Sequence, residues 1–134
     1  MPPKLQNFLW KACRGILPVL DALRSRGMYI EGGCPRCSSN DESISHALGT
    51  CPLLDSLLTA GSICLTTNSF IGNSFRQVFQ HLLSILPKDQ LELFTYFCWL
   101  AWNARNDKYW NDKGTSIPEI IVAGSRLRSE FIAA

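Results

Sequence analysis

Charge is scarce in this chain. Charged residues make up 18% of its 134 positions, against an average near ~25% for soluble domains, which excludes a disordered acidic or basic tail. A strong surplus of one sign is also missing. Thirteen Lys+Arg face eleven Asp+Glu, a net of +2, too small by itself to demand an anionic partner. Long apolar runs are absent: the most apolar stretch, Leu93 to Trp102, holds ten residues, where a bilayer span needs ~20, so no membrane role is expected. The opening residues Met1 to Lys11 contain no apolar run of seven before a charge, and no small-residue cleavage site follows, so no secretory leader is expected either. Internal repeats, low-complexity tracts and alternating strand patterns of useful length are lacking too. A soluble, intracellular, helical chain is the expectation that remains.

Apolar spacing supplies the helices. Leu5, Phe8, Leu9 and Ala12 predict one over residues 4–13, interrupted by Gly15 and Pro18. Leu20, Leu23 and Arg24 predict a second short helix that Gly27 closes. Met28-Tyr29-Ile30 reads as a short extended piece, residues 43–48 as one or two helical turns, and Pro52 as the start of a helix through Leu58. Residues 66–73 read as a loop. Phe75, Val78, Phe79, Leu82, Leu83 and Leu86 form the most regular stripe in the chain. Pro87 ends it, and Asp89 is placed to cap a long helix from Gln90 to about Trp110, closed by Gly114. Ser116 and Glu119 form a capping-box pattern before a last helix carrying Ile120, Ile121, Leu127 and Phe131. The fold class expected is mainly α: a small helical domain over residues 1–61, with an irregular loop in it, and a helical connector over 62–134.

Six cysteines are the unusual presence. An even count admits a disulfide framework in a secreted chain, but thiols stay reduced inside cells, where clustered cysteines favour metal. Cys34, Cys37, His46 and Cys51 follow the spacing C-x2-C-x8-H-x4-C. A C-x2-C turn aims two thiolates at one point, and Gly32-Gly33 let the backbone fold tightly behind them. Three thiolates and one imidazole complete a closed tetrahedral shell, and soft sulfur donors favour zinc over magnesium or calcium. Such a site contributes on the order of 10 kcal/mol, enough to organise residues 28–55, which have few core-forming residues of their own. Cys13, Cys64 and Cys98 lie on or near apolar helical faces and read as packing thiols. His81 reads as a surface or half-buried residue.

These residues resemble a known family. Pro2-Pro3-Lys4-Leu5-Gln6-Asn7-Phe8-Leu9-Trp10-Lys11, Ile16-Leu17-Pro18, Leu23-Arg24-Ser25-Arg26-Gly27, Cys34-Pro35-Arg36-Cys37, Glu42, His46 and Cys51-Pro52 resemble the zinc-binding domain of plant non-LTR (LINE-type) reverse transcriptases over about residues 2–54. Trp99-Leu100-Ala101-Trp102-Asn103-Ala104-Arg105-Asn106 resembles the W-x-x-W-x-x-R-N segment that commonly follows that domain. The resemblance implies a retroelement origin, between a polymerase and a ribonuclease H-like domain, and a non-catalytic role that assists nucleic-acid binding. It places the zinc ligands on Cys34, Cys37, His46 and Cys51. Val19 departs from the family pattern, which has Ser or Thr as a helix cap at that position. Leu57 and Leu58 occupy the region where the family often has a Trp.

The charge distribution supports the same direction. Residues 1–37 hold Lys4, Lys11, Arg14, Arg24, Arg26 and Arg36 against Asp21 and Glu31, a net of +4, while the remainder is net −2. These six cations are the expected contacts to RNA or DNA phosphates. Polymerase and nuclease chemistry need clustered carboxylates for two metal ions, and the carboxylates here are scattered, with Asp41-Glu42 in the zinc loop. No enzyme and no small-molecule substrate are therefore expected. Trp99, Trp102, Tyr109 and Trp110 offer a base-stacking platform, but Trp99 and Trp102 at i, i+3 in an apolar helix read first as core or a domain contact. Arg105-Asn106 is expected at the exposed end of that helix, as a cap or a bridge to a neighbour. The alternatives are a scaffold fragment whose C-terminal helices dock a protein domain, or a non-functional retroelement relic. The compartment expected is nuclear or cytoplasmic.

Overall fold

The structure, a computed structural model, describes residues 1–51 and 74–111 together with Val122 and Arg126. Among the described residues it is mainly helical and contains no strand. Helix α1 spans Pro3–Arg14. Proline at its first position has a preset φ and lacks only an N–H that would have no helical partner there. Leu5, Phe8 and Ala12 bury one face, and Gly15 at φ 73° turns the chain out of the helix. The N–H groups of Gly15 and Ile16 return to the carbonyls of Ala12 and Lys11, closing the terminus in the Schellman pattern.

Helix α2, Leu20–Ser25, begins at Val19, whose side chain makes no cap. The missing cap comes from a distance. Glu42 Oε1 accepts the Leu20 N–H at 3.0 Å, and the Glu42 carbonyl accepts the Asp21 N–H at 3.1 Å. Gly27, at φ 88°, closes the helix as its position predicts. The extended piece expected at Met28–Ile30 forms no strand; Met28 and Tyr29 are exposed, and among the described residues no neighbouring strand offers a ladder. The turns expected over 43–48 take an unusual form. His46–Thr50 is a π-helical turn in which the Cys51 N–H reaches back five residues to the His46 carbonyl.

Helix α3 spans Phe75–Ile85 behind a full capping box, in which Ser74 and Gln77 satisfy each other's backbone N–H groups. Helix α4 runs Lys88–Asn111. It starts before the Asp89 cap expected from sequence, because the Leu91 N–H already bonds the Pro87 carbonyl; Asp89 lies inside the first turn, favourably placed toward the helix dipole. Twelve residues of α4 are buried, including every residue from Leu91 to Cys98, so this stretch of the helix is enclosed on all sides rather than amphipathic, while both ends of the helix are exposed. It packs against α1, α3 and the π-helical turn. Phe8, Leu17, Val19, Leu48, Phe75, Leu82, Phe94 and Trp102 meet in one core, with the Phe75 and Phe94 rings stacked 6.3 Å apart. The expected boundary at 61/62, the helix after Pro52, the loop at 66–73, Cys64 and the Gly114 stop lie outside the described residues. The same holds for the last helix except Val122 and Arg126, which are helical and exposed.

Candidate metal centre

The loop between α2 and the π-helical turn is held in shape by backbone bonds before any metal is considered. The Cys34 N–H donates to the Ser39 carbonyl at 2.7 Å and the Ser38 N–H to the Cys34 carbonyl at 2.8 Å. Gly33 is required here: a Cβ on it would lie 1.8 Å from the Ser39 carbonyl oxygen. Arg24 ties the two limbs of the loop together, donating to the carbonyls of Ile30 and Gly32 on one side and Asn40 on the other. On the far limb, Ser43 Oγ accepts the His46 N–H at 3.0 Å and starts the turn that presents the imidazole.

These constraints bring Cys34, Cys37, His46 and Cys51 together. Their ligand atoms all lie within 4.8 Å of one another, and Cys37 Sγ is 3.3 Å from His46 Nε2. A tetrahedral zinc shell, with bonds near 2.3 Å to sulfur and 2.0–2.1 Å to nitrogen, has ligand-to-ligand edges of about 3.6–3.8 Å. The cluster thus needs only small adjustments to hold a metal ion. Cys34 and Cys51 are buried, Cys37 and His46 half-buried. No disulfide joins any of the five cysteines among the described residues. The Cys34 thiol is held far below the ordinary thiol range, first by the Cys51 side chain and then by His46 and the N–H groups of Cys37 and Arg36, against the opposing effect of burial. The thiolate is the form of sulfur that a metal takes up, and these neighbours favour it. Three soft sulfurs and one nitrogen are the donor set of zinc, and a complete four-ligand shell leaves no position for a substrate.

A second layer locks the centre to α4. Cys34 and Cys51 pack against Leu93, Phe97, Ala101 and Ala104. Arg36, inside the C-x2-C turn, donates to the Ala101 carbonyl at 3.3 Å and to the Ala47 carbonyl. Glu42, in the middle of the loop, meets Arg105 from α4. Here the sequence expectation is corrected. Arg105 does not sit at an exposed helix end; it is completely buried, with its guanidinium beside the rings of Trp102 and Tyr109 at 5.0 and 4.9 Å. The helix runs on to Asn111, and position 105 continues the i, i+3 line of half-buried Trp99 and buried Trp102. That line was the available signal for Arg105. Glu42, separated from it by 63 positions, carries no comparable local signal.

The six cations expected to meet nucleic acid divide. Lys4, Lys11, Arg14 and Arg26 are exposed. Arg24 and Arg36 are half-buried, with guanidinium groups committed to the loop carbonyls and the Ala47 and Ala101 carbonyls just described. Lys4 Nζ lies 4.7 Å from the Trp99 ring and the Arg14 guanidinium 5.2 Å from that of Trp10. Trp102 is core, as its spacing predicts, Trp99 is half-buried and Trp110 is exposed. Cys98 is buried, and burial pushes its thiol far up; Cys13 is half-buried and raised for the same reason.

Residues 1–57 fit the family described as zinc-binding in reverse transcriptase, a span that contains all four clustered ligands. No curated protein and no solved structure matches the chain.

Proposed function

We propose, from the premise that residues 1–57 are a reverse transcriptase zinc-binding domain, that the chain is a non-catalytic zinc module of retroelement origin, of the plant LINE type, that assists nucleic-acid binding. Zinc held by Cys34, Cys37, His46 and Cys51 has a structural role, and its four-ligand shell supplies no activated water. The observation that carries the nucleic-acid reading is the solvent face of α1, where Lys4, Lys11 and Arg14 are exposed and no acidic residue occurs in the helix. Arg26 adds a fourth exposed cation after α2. Arg24 and Arg36 are half-buried and hydrogen-bonded to carbonyls, so the reading leans on the four exposed cations. Unbridged thiols among the described residues suit a reducing nuclear or cytoplasmic setting.

Zinc-loaded protein titrated against labelled RNA and DNA over a range of salt tests this. Binding whose log affinity falls linearly with log salt is the expected result; absence of binding even at low salt refutes it. The competing reading, a docking module for another protein domain, draws on Leu83, Ile85 and Trp110, which are 56%, 56% and 65% exposed. It predicts defined complexes without salt-dependent nucleic-acid binding.

A further inference from the structure

Helix α1 has a clean division of labour around its axis. At 100° per residue, Trp10 and Arg14 fall opposite Leu5, Phe8 and Ala12, Asn7 lies beside them, and Lys11 and Lys4 follow along the flank of the helix; all five are exposed. Four of them are polar, as a solvent face should be. Trp10 is the exception. Its indole is 53% exposed, while Leu5 and Phe8 of the same helix are 0% and 5% exposed. The apolar face is already complete without it, so core formation does not account for an aromatic ring at this position. The ring also has a specific neighbour, the Arg14 guanidinium 5.2 Å from its centroid.

The chemistry around the ring selects the partner. Lys4, Lys11 and Arg14, with no acidic residue in the helix, call for an anion with several charges in a row. Lys4 to Arg14 spans about 15 Å at 1.5 Å per residue, so the charges must be spread along an extended chain. The exposed indole calls for a flat π face. A duplex keeps its base faces stacked inside, and an acidic peptide offers charge without rings. A single-stranded nucleic acid presents both features together.

We propose that the solvent face of α1 binds single-stranded nucleic acid, with a base stacked on Trp10 and phosphates on Lys4, Lys11 and Arg14. The proposal rests on the nucleic-acid reading above and narrows it to one strand state and one aromatic contact. Trp10 supplies sequence-tolerant stacking, because every base has a π face, and the three cations set the salt dependence.

The test uses the full zinc-loaded chain and three fluorescent probes of equal length: an oligothymidylate, an abasic strand and a duplex. Three phosphate contacts to a single strand give a log–log salt slope of about −2. Trp10→Ala is expected to lower affinity for the oligothymidylate about tenfold, a loss typical of one stacked base, with the slope unchanged. Trp10→Phe keeps most of the affinity. Lys11→Gln with Arg14→Gln flattens the slope by about 1.4. The abasic strand binds wild type and Trp10→Ala alike. Zinc content and helical circular dichroism check that the Trp10 variants remain folded. Equal oligothymidylate binding by wild type and Trp10→Ala, tighter binding of the duplex, or equal displacement by polyglutamate overturns the proposal while leaving the broader nucleic-acid reading standing. Failure of all three probes to bind at low salt overturns both.

Discussion

Arg105 and Glu42 form a doubly hydrogen-bonded ion pair in which neither side chain reaches solvent: Nε meets Oε2 at 2.9 Å and Nη2 meets Oε1 at 2.5 Å. The pair joins the metal loop to the long central helix. Glu42 also accepts the Leu20 N–H, so one carboxylate completes an ion pair and caps α2. Truncating either partner strands the other charge in the interior, which typically costs ~3–5 kcal/mol. Glu42→Gln and Arg105→Met should each lower stability by about that amount in urea titrations of the zinc-loaded protein. Glu42→Leu combined with Arg105→Met should lose far less than the sum of Glu42→Leu alone and Arg105→Met alone, with about 1 kcal/mol remaining for the lost helix cap. Additive losses would show that the pair is not coupled.

Metal should control more than its own loop. Elemental analysis should find about one zinc per chain, lost in Cys37→Ser and in Cys51→Ser. Because Cys34 and Cys51 pack on Leu93, Phe97, Ala101 and Ala104, chelation should also lower the thermal transition reported by the α4 helix. A transition that chelator leaves in place would separate the centre from the core.

Arg24 and Arg26 should behave differently despite being near neighbours. Arg24 holds three loop carbonyls, so Arg24→Ala should weaken zinc retention and destabilise by ~1–3 kcal/mol. Arg26 is exposed, and Arg26→Ala should stay within about 0.5 kcal/mol of wild type. A competition assay with a chromogenic chelator distinguishes them.

Ser74→Ala removes half of the capping box on α3 and should cost about 1 kcal/mol. A denaturant midpoint unchanged from wild type would rule out a stabilising cap.

The raised Cys98 thiol carries a pH prediction. Burial favours its neutral form, so above the ordinary thiol value of 9.0 the unfolded chain ionises while the folded chain does not. The group's contribution is intact below that value and declines as pH rises past it. Cys98→Ala should flatten the alkaline decline in stability. In the native protein, iodoacetamide should leave Cys98 unmodified, as mass spectrometry can read.

Local pattern carried the sequence reading a long way. Spacing of three and four marks α1 and α3 from Leu5, Phe8, Phe75 and Leu82, and the four candidate ligands announce themselves by residue type within eighteen positions. Two kinds of information were not local. The pairing of Glu42 with Arg105 depends on how α4 lies across the loop, which no short window contains. The inward commitment of Arg24 and Arg36 depends on carbonyls freed by an irregular loop, and net charge treats an arginine holding carbonyls like one in water. Asp89 falls two positions inside the helix it is expected to cap, because the Pro87 carbonyl opens the helix first.

The 63-position separation of Glu42 and Arg105 also sets a timetable. At ~5–20 residues per second, a ribosome makes Arg105 about 3–13 s after Glu42. All four candidate ligands precede that moment, so metal capture can occur while the Glu42 carboxylate is still hydrated. Dehydration of the pair then follows metal capture, and a nascent chain stalled before Arg105 would hold a loaded loop with its inner face still wet.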